Sequence, residues 1–195
     1  NVTGVQTCAL PILLKPEKIA HIANLTQYMS VCTCKVIETY GLKPQIKYPN
    51  DVLIDGKKVC GILCESVLKK NIIQGVVLGI GVNLNMPLSL VEKIEKPATS
   101  LNLLTGHSID RQEFLEKLLK EFFSKYQDVI ERGFCSFEQE YLKRNNFLGK
   151  TVFIQQTDNS QRQEYFAVKM DENGNLVVKN SDDEEKIIFS GDLSI

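Results

Sequence analysis

The 195 residues suffice for one domain of ordinary size with a small appendage, and 43% apolar residues can bury a real core. With 23 Lys and Arg against 24 Asp and Glu, the total charge gives no reason to expect a nucleic-acid or membrane partner. No apolar run reaches the length of a membrane-spanning helix.

The charge is unevenly spread. Four of the basic and nine of the acidic side chains fall in residues 151–195, which suggests a boundary near 150 and an acidic tail unsuited to DNA. Six cysteines invite a metal or disulfide reading, but their spacing does not support one. Cys32 and Cys34 lie in a helical pattern, where two steps turn them about 200° apart. Cys60 and Cys64 share a strand face but stand about 13 Å apart, too far for one zinc. With only His21 and His107 to add, the pattern predicts no metal site, reduced thiols and a cytoplasmic setting.

The chain opens on NVTGVQTCALPIL, which has no initiator Met, no basic stretch and no periodicity. It resembles translated adapter sequence, so residues 1–12 are expected to be a non-native or unstructured leader and the chain an N-terminally truncated fragment. The NVT and NLT sequons at Asn1 and Asn24 are then incidental.

From Pro16, apolar residues recur at helical spacing through Ile19, Ile22, Met29, Cys32 and Val36, and Gly41 stands where helices end. This predicts a helix over about 17–40. Ile46–Ile54 and Val59–Leu68 flank Asp55-Gly56, a strong hairpin turn signal. A third strand, Asn71–Asn85, alternates cleanly. Val76, Leu78, Ile80, Val82 and Leu84 form an apolar face, and Val77, Gly79, Gly81, Asn83 and Asn85 form the other. Glycine weakens a strand, so something should lie close against that second face, either a packed helix or a ligand. Past the loop around KPATSLNLLTGHS, Asp110 and Glu113 start an amphipathic helix that Gly133 closes, and a shorter helix follows at about 136–145. TVFIQQ, EYFAVKM, NLVVKN and KIIFSG then read as four short strands of a small β-barrel, residues 148–195, a separable module.

The hairpin carries the candidate chemistry. Pro49 removes a ladder donor, which frees Asn50 and Asp51 to face something other than a neighbouring strand. Lys57 and Lys58 must point to opposite faces, one to solvent and one towards the glycines, where an ammonium suits a carboxylate or phosphate.

KYPNDVLIDGKKVCGILCE, followed by VVLGIGVNLN and PATSL, closely resembles the signatures of biotin protein ligases, over roughly residues 13–195. Tyr48 stands where that family usually has tryptophan. The resemblance implies an α+β fold: a mixed, largely antiparallel sheet packed with helices, of the class II synthetase-like kind, in an incomplete catalytic domain at 13–147, plus a C-terminal SH3-like barrel. It implies ATP and biotin as substrates, Mg²⁺, a biotinyl-AMP intermediate, and a lysine of a biotin carboxyl-carrier domain, as in acetyl-CoA carboxylase, as acceptor. Homodimerisation is possible, and no nucleic acid is expected to bind this fragment. Lys58 would hold the biotin carboxylate and then the adenylate phosphate, Asp51 would sit near the acceptor lysine, and Gly61, Gly81, Asn50 and Asn83 would line the biotin and nucleotide sites. The family's GRGRxGR loop has no match in residues 1–20, so the activity of these residues alone is doubtful. Two other readings stay open: a non-catalytic biotinyl-AMP-binding part of a bifunctional repressor, and a lipoate or octanoyl ligase.

Overall fold

The computed structural model describes residues 6–15, 21–69, 72–156, 161–189 and 191–195. Its framework is two five-stranded antiparallel sheets. The first has the order β1 (Gln6–Leu14), β5 (Ile72–Asn85), β4 (Lys57–Lys69), β3 (Asp51–Ile54), β2 (Gln45–Lys47). The expectation of a leader without structure is therefore corrected from Gln6 onward. β1 runs antiparallel to β5 with Leu10 opposite Ile80 and Pro11 opposite Gly79. It lies at the sheet edge, where a proline costs no internal ladder bond.

Asp55 and Gly56 both adopt positive φ, 49° and 74°, as the tight β3–β4 turn requires. The single strand expected over 46–54 is instead two, because the chain turns at Tyr48–Asn50 and folds β2 back on β3. The apolar face of β5 is buried from Val76 to Leu84 as its alternation predicts.

That face is covered by α1 (Asn24–Glu38), with α4 (Arg111–Arg132) packed behind it. The first helix starts later than predicted. His21–Ala23 form a turn, and the rest of the expected N-terminal extension, 16–20, lies outside the described residues. α1 is buried on nearly every side because sheet, helices and second sheet all pack on it. An aromatic cluster of Tyr28, Phe122, Phe134, Phe137 and Tyr141 knits the helices together, with centroids 5.3–5.5 Å apart. α4 begins as its sequence suggests, with the Asp110 carboxylate accepting from Glu113 N–H at 2.8 Å. The predicted loop before it holds two short helices, α2 (Leu88–Val91) and α3 (Leu101–Thr105). The helix expected at 136–145 is a 3-10 turn at Gly133–Ser136 followed by α5 (Glu138–Leu142).

The C-terminal strands number five among the described residues, not four. β6 (Thr151–Gln155), β7 (Gln163–Met170), β8 (Leu176–Lys179), β9 (Glu185–Ile188) and β10 (Asp192–Ser194) order as β10-β6-β7-β8-β9. No ladder joins β9 to β10 among the described residues, so the expected barrel appears as an open sheet. Nor is this sheet set apart from the rest. One buried apolar cluster runs through both sheets, and Tyr48 Oη donates to Ile188 O at 2.8 Å across the junction. Gln27 Nε2 donates to Gly174 O at 2.7 Å and Asn24 Nδ2 to Asn173 O at 2.8 Å.

Candidate functional site

The face of the first sheet turned away from α1 carries two rows of residues in register. Ala9, Gly81, Gly61 and Asp51 stand opposite one another across four strands, and Pro11, Gly79 and Leu63 form the next row. Three glycines side by side remove the floor that side chains would otherwise build. The result is a cavity of about 520 Å³ with Pro11 and Leu63 as its apolar side chains, Leu10 and Ile62 lining it while standing in register with core-facing Ile80, and Asn50, Asp51 and Lys58 at its polar end. Of the two openings for the glycine face, helix or ligand, the ligand is favoured: among the described residues α1 packs on the opposite face, and the glycine row lines a cavity.

Lys58 sits at a junction. Its backbone N–H donates to Pro97 O and its C=O accepts from Thr99 N–H, both at 2.9 Å, so the PATS segment is pinned beside the start of β4. Its ammonium pairs with Asp51 Oδ1 at 2.6 Å. A β-carbon at Gly61 would stand 3.0 Å from both Lys58 Cε and Nζ, so this glycine makes room for the ion pair. Lys57 is exposed, and the irregularity in the β3–β4 register between Val52 and Leu53 carries Lys58, three residues before Gly61, onto the glycine's side.

A second cavity of about 160 Å³ adjoins the first, and the two share Lys58, Gly61 and Gly81. Asn83 lines this one, facing the wall formed by Ile94, Lys96, Pro97 and Ala98. Asn83 Nδ2 donates to Thr99 O at 3.0 Å, and Ser100 Oγ donates to Asn83 O at 3.0 Å, which fixes the strand end against the PATS segment. The neighbouring amide, Asn85, braces the scaffold, donating to Ile109 O and accepting from Ile109 N–H, both at 2.8 Å. Asn50 lines the larger cavity and donates from Nδ2 to Ile62 O.

The structure thus gathers Asn50, Asp51, Lys58, Gly61 and Gly81 at one cavity and sets Asn83 in its neighbour. Sequence reasoning missed Leu10 and Pro11, which belong to the segment read as a leader, and the Ile94–Ala98 wall. Only the PATSL motif hinted at the latter. Among the described residues no three His, Cys, Asp or Glu side chains are placed to hold a metal ion. Burial pushes the Cys64 thiol up to about 11, which keeps it protonated and unreactive. Among the described residues no helix is long and apolar enough to cross a membrane.

The profile of the lipoyl protein ligase A/B catalytic domain matches residues 5–123, more than half of the chain. The bifunctional ligase/repressor BirA of Bacillus subtilis is 34% identical over 128 residues, which are 64% of this chain and 39% of that protein. The biotin--[acetyl-CoA-carboxylase] ligase of Paracoccus denitrificans is 37% identical over 137 residues, 69% of this chain and 56% of that protein. The chain therefore spans about two fifths of one relative's length and just over half of the other's. The biotin protein ligase of Aquifex aeolicus, solved in complex with biotin and ATP, superposes with a TM-score of 0.80 at 27% identity, covering 95% of this chain and 76% of that one. On these matches and on the KYPND, GIL and GIGVN segments that build the two cavities, the chain belongs to the biotin protein ligase family, within the lipoyl protein ligase A/B catalytic-domain group.

Proposed function

We propose that this chain belongs to an ATP-dependent enzyme that joins biotin to a lysine of a biotin carboxyl-carrier domain through biotinyl-AMP. The observation that carries the reading is Lys58 standing at the junction of the glycine-floored cavity and the Asn83 cavity. The apolar side chains of Pro11 and Leu63 over the glycine floor suit biotin's ring system and chain, with its carboxylate towards Lys58. The nucleotide then occupies the Asn83 side, so carboxylate and α-phosphate meet at one ammonium.

The chemistry follows from that placement. A carboxylate oxygen of biotin attacks the α-phosphorus, the bond to pyrophosphate breaks, and a mixed anhydride forms. The acceptor amine next attacks the acyl carbon, AMP leaves, and the amine gives up a proton. Two anions must meet in the first step, so a fixed cation lowers the barrier, and Lys58 supplies it. Asp51 pairs with that ammonium and is the carboxylate that lines the larger cavity, so the acceptor amine is assigned to its side. With no protein cage of three ligands among the described residues, Mg²⁺ would be carried largely by the ATP phosphates and would supply charge neutralisation there. The C-terminal strands, an open sheet among the described residues, stand where the family resemblance puts a small SH3-like module, and the free thiols suit a reducing cytoplasm.

Biotin-dependent pyrophosphate release tests the reading, measured on the 195 residues and on a form extended by the family's upstream GRGRxGR loop. Lys58→Met should cut the rate by about 10²-fold, as for loss of one positioned donor, while the exposed Lys57→Met stays within a few fold. Equal losses from the two changes would refute the assignment. Release that responds to lipoate and not to biotin would favour the lipoate reading that the family description also covers.

A further inference from the structure

The second sheet reaches the wall of the smaller cavity through a carboxylate that pairs with Lys96. Asp192, on β10, bridges two lysines: Oδ1 accepts from Lys47 Nζ at 2.7 Å and Oδ2 from Lys96 Nζ at 3.1 Å. Lys47, on β2, is the anchor. Its ammonium, with help from Lys96, holds the Asp192 carboxyl down at about 2, so the group is an anion throughout the neutral range. Lys96 belongs to the wall facing Asn83, and its side chain is 81% exposed. Asp192 is the partner that its ammonium has among the described residues.

We infer that Asp192 is a positioning residue for nucleotide binding: it holds Lys96, and with it the Ile94–Ala98 wall, in place before ATP arrives. The inference rests on assigning the Asn83 cavity to the nucleotide. A long, exposed lysine that is not held must give up its rotamer freedom when the ligand binds, and holding it beforehand removes that penalty. Asp192 therefore gives the second sheet a hand in ATP affinity without contact with ATP. Biotin, on the other side of Lys58, lies outside its reach.

Calorimetric titration with ATP alone, and separately with biotin, tests this on the wild-type chain, Asp192→Asn, Lys96→Met, the double variant and Lys93→Met. Lys93 lies on the same segment and carries the same charge, but no ion pair holds it among the described residues. Asp192→Asn and Lys96→Met should each weaken ATP binding by about threefold to tenfold, the size of ordering one long side chain, and the double variant should be no weaker than the worse single. Biotin affinity should be unchanged, Lys93→Met should match wild type, and the Asp192→Asn deficit should fade in 1 M salt, where the Debye length is about 3 Å. Unaltered ATP affinity in Asp192→Asn, additive losses, an equal loss for biotin or an equal loss in Lys93→Met would each overturn the inference while leaving the nucleotide assignment intact. A wild-type chain that does not bind ATP would overturn that assignment and the inference together.

Discussion

Gly61 lacks a side chain because Lys58 and Asp51 use its space. An added β-carbon would meet the end of the lysine, Cε and Nζ at 3.0 Å, rather than backbone. The lysine can swing away at little energetic cost, so Gly61→Ala should leave thermal stability within about 0.5 kcal/mol, since β4 gains a residue with less backbone entropy to lose. What it displaces is the 2.6 Å contact with Asp51 and the position of the ammonium between the cavities. Biotin-dependent pyrophosphate release should therefore drop about tenfold, a part of the loss expected from removing the lysine altogether. A fall in melting temperature with unchanged turnover would show that the glycine serves packing. Tyr48 shows the opposite balance. It is 3% exposed, its hydroxyl is held by Ile188 O, and burial pushes its pKa up to about 12, so the ring does structural work next to the site.

β5 joins the two demands in one element, a buried apolar face and an open glycine face. Gly81→Val separates them. A β-branched residue favours the strand, so stability should hold or rise, while its methyls enter the floor shared by both cavities. Calorimetry should find both biotin and ATP binding weakened by at least tenfold, and unchanged affinities would remove the glycine floor from the site. This element was legible from sequence because its period of two is local. Parity established only that Lys57 and Lys58 part, and the resemblance singled out Lys58; strict alternation places Lys57 on the side of Gly61, and the register shift opposite Val52 and Leu53 brings Lys58 there instead. β1 was not legible. Its apolar run carries Pro11 and no alternation, and the register that makes it a strand is supplied by β5, far along the chain. The break of the expected 46–54 strand was half legible: Pro49 was read as an edge or bulge, yet the turn also depends on Tyr48 packing against Phe147, with centroids 5.8 Å apart. The Lys96–Asp192 pair left no trace in the sequence, since single charges remote in the chain carry no periodicity.

At the scale of the molecule, the acidic C-terminal segment looks separable by composition but is not separate in its packing. The buried cluster that holds Leu25, Met29 and Ile46 continues through Val152, Leu176 and Ile188. Polar groups seal the same junction. Asn24 and Gln27 on α1, 5% and 4% exposed, give their amide hydrogens to the β7–β8 turn, and a β-carbon at Gly174 would fall 2.7 Å from Gln27 Oε1. Removing residues 149–195 would therefore uncover Tyr48 and Phe134 and strip partners from three buried donors, each costing about 1–3 kcal/mol if left unsatisfied. Water can reach those donors once the sheet is gone, so the larger loss is apolar burial, which alone is comparable with the ~5–15 kcal/mol that stabilises an ordinary domain. The full chain should thus melt in one transition with calorimetric and van't Hoff enthalpies equal, and the 1–148 form should keep helical circular dichroism while losing a sharp transition and binding a hydrophobic dye. Two resolved transitions in the full chain, or a cooperative melt of 1–148 near the parent temperature, would show that the first sheet and its helices stand without the second.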